Sequence, residues 1–291
     1  MKLYSNFCKT QDNEQVFYAT NFPHHEEVEN LIVLNYGLVC NNDHWKMQTN
    51  HFKKKGYKFL IHDYRGHYQS SGKENLKEIT FNNMAKDLHQ ILSEIRANNI
   101  IMLGHSMGVN VTLEYCHLFP NTVSKIVLIS GTIFPVQNVL MNTHLFSSLR
   151  PLFTKLLKSH PAFLEKFWKY GGWNAFVKTI LHVGGFNYKQ VDSKFIEVYM
   201  NKLGELGPHI FFQLIDEMQR HDALSFVEEI QTKTLVVGGN KDKVIPNYLQ
   251  RLLQQKIPNA ELYIIHDGSH VPQVDFPEII NERLDLFFEF Q

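Results

Sequence analysis

Six short apolar runs, rich in β-branched residues and bounded by turn residues, constrain this chain more than any other feature. They are Leu31 to Leu34, Tyr57 to Ile61, Ile100 to Leu103, Ile126 to Ile129, Thr234 to Val237 and Leu262 to Ile265. Runs of this length and composition fit strands buried on both faces. Amphipathic stretches fall between them. Phe81 to Ile95 sets Met84, Leu88, Ile91, Leu92 and Ile95 at helical spacing, and Ser106 to Leu118 follows the third run directly. Pro246 to Leu253 and Pro277 to Phe290 are further helical patterns, each with a proline near its start, where the missing N–H is not needed. Strands alternating with helices predict an α/β fold: a mostly parallel central sheet with helices on both faces. Ahead of it, Leu3 to Lys9 and Gln15 to Thr20 flank a polar Gln-Asp-Asn turn and predict a hairpin.

One interval breaks the rhythm. About a hundred residues separate the fourth and fifth runs, against roughly 4–6 for an ordinary connection. The interval has helical patterns of its own: Leu145, Leu149, Phe153, Leu156 and Leu157; Phe163, Phe167 and Trp168; Phe176, Ile180 and Leu181. It therefore reads as a helical insertion, or lid, at 132–225 within a core of 1–131 and 226–291. Its apolar residues include Phe134, Leu140, Phe146, Trp173, Phe186, Phe211 and Phe212. Most such residues would form the insertion's own small core, and the remainder would line an apolar pocket.

Charge excludes some partners. Lysine plus arginine (29) balance aspartate plus glutamate (29), so no global field recruits nucleic acid. No stretch reaches the roughly 18 apolar residues of a membrane helix. The first residues, MKLYSNFCKTQDNEQ, lack a signal-peptide core. Cys8, Cys40 and Cys116 are widely spaced and cannot all pair, which favours reduced thiols and a cytoplasmic setting. The 16 histidines are scattered; His266 and His270, the closest to a ligand pair, flank a turn-like Asp-Gly. No nucleotide-binding glycine loop occurs, so neither metal nor cofactor is expected.

The chemistry concentrates at Ile100-Ile-Met-Leu-Gly104-His-Ser106-Met-Gly108-Val, a strand, a sharp turn and a helix. A Gly-x-Ser-x-Gly turn holds its serine in a strained conformation that presents the hydroxyl, while the glycines let strand and helix approach. His105, on the far side of this turn, reads as packing. The segment resembles the nucleophile elbow of the α/β-hydrolase superfamily, and the resemblance covers nearly the whole chain. The family's order of nucleophile, acid and histidine implies Ser106, Asp242 and His270. Asp242 lies in Gly239-Asn-Lys-Asp242-Lys-Val-Ile-Pro246, similar to the family's acid loop, and His270 in Ile265-His-Asp-Gly-Ser-His270-Val-Pro, similar to its base loop. A serine hydroxyl is a poor nucleophile until an imidazole takes its proton, and a carboxylate fixes the imidazole tautomer. His266 and Asp267 are the nearest rivals for the two partner roles.

Oxyanion donors are implied at the N–H of Met107 and, from Asn35-Tyr36-Gly37-Leu38, at Leu38. Trp45 stands at the family's spacing from Gly37, but Tyr36 replaces the usual histidine. Asp63-Tyr-Arg65-Gly66-His-Tyr68-Gln-Ser70 resembles a second landmark, with Tyr68 in place of its second glycine, and reads as a structural brace. The resemblance implies a serine hydrolase with a small-molecule ester or acyl substrate and an acyl-serine intermediate. It leaves open transfer to another acceptor, perhydrolase or haloperoxidase-type chemistry, C–C bond hydrolysis and a non-catalytic ligand-binding role. Acyl preference and oligomeric state are not readable from the sequence.

Overall fold

In the computed structural model, residues 3–38, 40–134, 159–169 and 193–290 are described. Among them, eight strands form one sheet: β1 (Tyr4–Lys9), β2 (Gln15–Thr20), β3 (Val28–Asn35), β4 (Lys58–His62), β5 (Ala97–His105), β6 (Lys125–Ile129), β7 (Lys233–Gly239) and β8 (Ala260–Ile265), in spatial order β1-β2-β4-β3-β5-β6-β7-β8. The hairpin β1–β2 is antiparallel and β2 meets β4 antiparallel; every pairing from β4 through β8 is parallel. Each predicted run lies within one of these strands or overlaps it.

Period-2 alternation divides the core. On β3, Ile32 and Leu34 pack on one face with Trp45, Phe52 and Phe59, while Leu31 and Val33 pack on the other with Leu60, Leu88 and Leu113. Both faces are covered, as the unbroken apolar runs require. The longer helices of the core are α1 (Lys46–Lys55), α2 (Phe81–Ser93) and α3 (Met107–Leu118), followed late in the chain by α7 (Asn247–Lys256) and α8 (Pro277–Phe288). Thr80 caps α2 by accepting from the Asn83 N–H at 3.2 Å. α1 has no counterpart among the expected elements, because KMQTNHFKKK buries only Gln48 and Phe52 and carries almost no apolar periodicity. Gly56, at φ 76°, ends α1 in the left-handed conformation suited to glycine.

Within the interval at 132–225, the described helices are α4 (Pro161–Lys169), α5 (Ser193–Leu206) and α6 (Pro208–Arg220). Trp168 donates its indole N–H to the Leu203 carbonyl at 2.8 Å and packs against Phe211 and Phe212, whereas Phe163 is exposed. Leu140, Phe146, Phe153, Leu157, Trp173, Phe176 and Phe186 lie outside the described residues.

The chain runs from β3 outward to β4, then returns to place β5 on the other side of β3. The carboxyl ends of β3 and β5 thus flank a topological switch point, where open α/β sheets form their crevices. Arg65, just after β4, locks the neighbouring edge. Its guanidinium donates to Asp87 of α2 at 2.7 Å twice and to Asp12 of the β1–β2 turn at 2.9 Å. Arg65 and Asp87 are both buried, so removing the arginine strands a charge. Arg65→Ala should lower the unfolding free energy by about 3–5 kcal/mol. Urea unfolding measures this, and a loss below about 1 kcal/mol would contradict the bracing role.

Candidate active site

Glycine at both ends of the elbow is dictated by contact. A Cβ on Gly104 would sit 2.6 Å from the Gly108 carbonyl oxygen, and one on Gly108 would run into the Asn35 carbonyl. Between them Ser106 has φ 52° and ψ −117°, a region that L side chains rarely adopt. The turn is held by the Ser106 N–H donating to the Ile129 carbonyl at 2.9 Å and the Val109 N–H donating to the Ser106 carbonyl at 3.0 Å.

The loop after β3 lies directly over this turn. A Cβ on Gly37 would be 3.0 Å from the Cβ of Ser106. Leu38 follows in that loop, and Met107 begins α3, where first-turn N–H groups have no intrahelical carbonyl to donate to. Tyr36, standing where a histidine was expected, joins a tyrosine brace. The Tyr64 hydroxyl donates to the Tyr36 carbonyl at 2.9 Å, and the Tyr36 hydroxyl accepts from the Tyr64 N–H at 3.3 Å. The Tyr68 hydroxyl donates to the Cys40 carbonyl at 2.6 Å. Asn35 donates to Thr112 of α3 at 2.9 Å, tying the loop's root to the helix that Ser106 starts. Tyr64 stands at the unspecified position of the Asp63-x-Arg65 segment and Tyr68 at a glycine position of it, so the sequence marks the segment as a brace without marking either hydroxyl.

Two more loops complete the site. Beyond β7, the Asp242 Oδ1 accepts from the N–H groups of Val244 and Ile245, both at 2.8 Å. Its Oδ2 lies 3.0 Å from His270 Nδ1, and His270 Nε2 lies 3.0 Å from the Ser106 hydroxyl. The consistent proton arrangement has Nδ1–H donating to the carboxylate and Nε2 accepting from the hydroxyl. The acid and base loops touch: a Cβ on Gly239 would meet the Gly268 carbonyl, and the Lys241 N–H donates to that carbonyl at 2.9 Å. Asp275, unflagged by the sequence, accepts from the Ser269 N–H at 2.6 Å and fixes the base loop. His266 and Asp267 pair with each other at 3.2 Å, with 85% of the His266 side chain exposed. That exposure separates them from the buried His270 and Asp242.

His105 does more than pack. Its Nε2 meets the His270 carbonyl at 2.9 Å, joining the elbow to the base loop. Chemically, the arrangement can lower the barrier to proton removal from Ser106 and hold the imidazolium that results. Cys40, His44 and His105 bring three potential metal donors together beside it.

Burial keeps a group of rings near these loops neutral. It pushes His44 and His62 down to about 3, His67 to about 4 and His105 well below the usual imidazole range. Unfolded rings titrate near pH 6.5, so below that pH the unfolded chain takes up protons that the folded one refuses. Stability from these rings is therefore full above pH 6.5 and lost as pH falls toward their folded values. Burial pushes Asp63 up to about 6, which acts in the opposite direction between about pH 6 and 4. With four rings against it, the urea midpoint should fall from pH 7 to pH 5. Proton NMR of the folded protein should show these four rings not titrating in that range; titration there would contradict their neutrality.

A family model described as alpha/beta hydrolase fold matches residues 30–277. Human Protein ABHD8 is 24% identical over 245 residues, covering 84% of this chain and 51% of its own, so the chain spans about half that relative's length. Lipase 1 of Psychrobacter immobilis is 25% identical over 264 residues, covering 89% of this chain and 76% of its own. The solved structure of the esterase EaEST from Exiguobacterium antarcticum superposes with a TM-score of 0.77 at 19% identity, over 98% of this chain and 99% of that one.

Proposed function

The chain belongs to the α/β-hydrolase fold family, and on that premise we propose that it cleaves carboxylic esters through an acyl-Ser106 intermediate. The observation that carries the proposal is the continuous hydrogen-bonded line from Asp242 through His270 to a serine in a strained turn, with 3.0 Å at each step. Ser106 Oγ attacks the ester carbonyl carbon while its proton passes to His270 Nε2. The oxygen that gains charge is held by the N–H groups of Leu38 and Met107, each donor contributing on the order of 3 kcal/mol. Collapse breaks the ester C–O bond, and His270 returns the proton to the departing alcohol. Water, deprotonated by the same ring, then attacks the acyl carbon and releases the acid and Ser106. Asp242 holds the ring's tautomer and its transient positive charge.

The substrate proposed is a lipophilic ester with a small-to-medium acyl group, bound beneath a helical lid at 132–225. The support is chemical: that interval is rich in phenylalanine, leucine and tryptophan, and apolar pockets favour apolar acyl chains. The names of Lipase 1 and the EaEST esterase agree with ester chemistry. None of the described helices is long and apolar enough to cross a membrane.

Hydrolysis of p-nitrophenyl esters of graded chain length tests the reading. Wild type should peak at one acyl length, and Ser106→Ala should lose on the order of 10⁴-fold or more in kcat. Equal rates from acetyl to decanoyl would exclude the apolar acyl pocket, and an active Ser106→Ala would exclude the serine mechanism. Asp242→Asn, which preserves shape but permits the wrong tautomer, should lower kcat by about 10⁴-fold. A loss below tenfold would remove Asp242 from the mechanism.

A further inference from the structure

Beside the candidate active site, three buried side chains converge, none of which exchanges a proton or a bond in the ester chemistry proposed above. Cys40 lies at the end of the loop after β3, His44 two residues before α1, and His105 immediately before Ser106. One potential ligand atom from each falls within 4.8 Å of the other two. The rings of His44 and His105 stack, with centroids 4.4 Å apart.

Each imidazole is also held from behind. His105 Nε2 faces the His270 carbonyl at 2.9 Å, so it carries the proton, and Nδ1 presents a bare lone pair. That Nδ1 is buried and has no hydrogen-bond partner. A lone pair left so in a protein interior is costly, which calls for a ligand. A Cβ on Gly37 would sit 2.9 Å from this atom, so glycine keeps the approach open. His44 Nε2 faces the side-chain amide of Gln273, whose buried Oε1 has no other partner among the described residues; with that oxygen turned toward the ring it accepts the Nε2 proton and leaves Nδ1 to ligate. A histidine that ligates through one nitrogen while the other donates its proton to a carbonyl oxygen is the usual arrangement around protein-bound metals.

We propose that Cys40, His44 and His105 form a binding site for a zinc-class thiophilic ion. A thiolate with two imidazoles suits Zn²⁺ in charge and softness. Zn–N of about 2.0 Å and Zn–S of about 2.3 Å require the set to contract by roughly an ångström. On binding, the Cys40 thiol gives its proton to solvent and its sulfur pair to the ion, while both imidazoles bind as neutral donors. The ion would tie the loop after β3 to the elbow. The site is independent of whether the protein cleaves esters.

Cobalt titration of the metal-stripped full chain tests this. Wild type should take up one Co²⁺ with a near-ultraviolet thiolate-to-cobalt charge-transfer band, and Zn²⁺ should displace it and raise the melting temperature by several degrees. Cys40→Ser should lose the band and bind at least tenfold more weakly, whereas Cys8→Ser and Cys116→Ser should retain it. Should Cys40→Ser fail to fold by circular dichroism, His44→Asn should show the same tenfold weakening. No cobalt uptake by wild type, uptake without the charge-transfer band, or a band unchanged in Cys40→Ser or in His44→Asn would overturn the proposal.

Discussion

Everything at the candidate site depends on how closely backbones approach where β5 turns into α3. Gly108 lies against the Asn35 carbonyl at the end of β3, and Gly104 lies against the first turn of α3. Side chains at either position would push the helix from the sheet. The turn between them holds Ser106 in a conformation that costs of order 1–3 kcal/mol. The sheet supplies the restraint: β5 pairs on one side with β3 and on the other with β6, and the Ser106 N–H itself joins the β6 ladder through Ile129. A strained residue persists when its surroundings leave it no alternative, and here rigid strands stand on both sides.

From that turn the remaining geometry follows. Four segments far apart in sequence meet because four of the five adjacent parallel strands β3-β5-β6-β7-β8 carry them on one edge: the loop after β3, the elbow after β5, the acid loop after β7 and the base loop after β8. Direct backbone contact binds them in pairs. Gly37 rests on Ser106, Gly239 rests on Gly268, and His105 reaches the His270 carbonyl. Catalytic geometry of the kind proposed needs placement to a fraction of an ångström, and such contacts supply it better than flexible side chains would. The tyrosine brace at Tyr36, Tyr64 and Tyr68 serves the same end, with hydroxyls carrying the load where a histidine was expected.

Much of this was legible in the sequence because it rests on local patterns. Buried parallel strands leave apolar runs, and the elbow's glycines and serine form a pentad whose spacing is itself the constraint. The hydrogen-bonding partners were not legible in that way. Asp275 and Tyr64 act through single long-range contacts that leave no periodic trace, and α1 is polar enough to hide. β5 begins three residues before its apolar run, because Ala97 to Asn99 pair with β3 through the backbone and through polar contacts of Asn98 and Asn99 with Glu29, which leave no apolar trace. His105 looked like packing material from its position, and only the fold shows it facing His44 and the base loop. The interval at 132–225 showed helical patterns in the sequence; α4, α5 and α6 lie within it, and Trp168 with Phe211 and Phe212 forms part of an apolar cluster there.

The central claim is that Ser106 is an activated nucleophile, and covalent labelling tests it most directly. A fluorophosphonate incubated with the folded protein, followed by peptide mass spectrometry, should yield one adduct, on Ser106. Labelling should slow by orders of magnitude in His270→Ala and vanish in urea. An unlabelled protein, an adduct at another residue, or equal labelling of folded and unfolded chains would contradict the account.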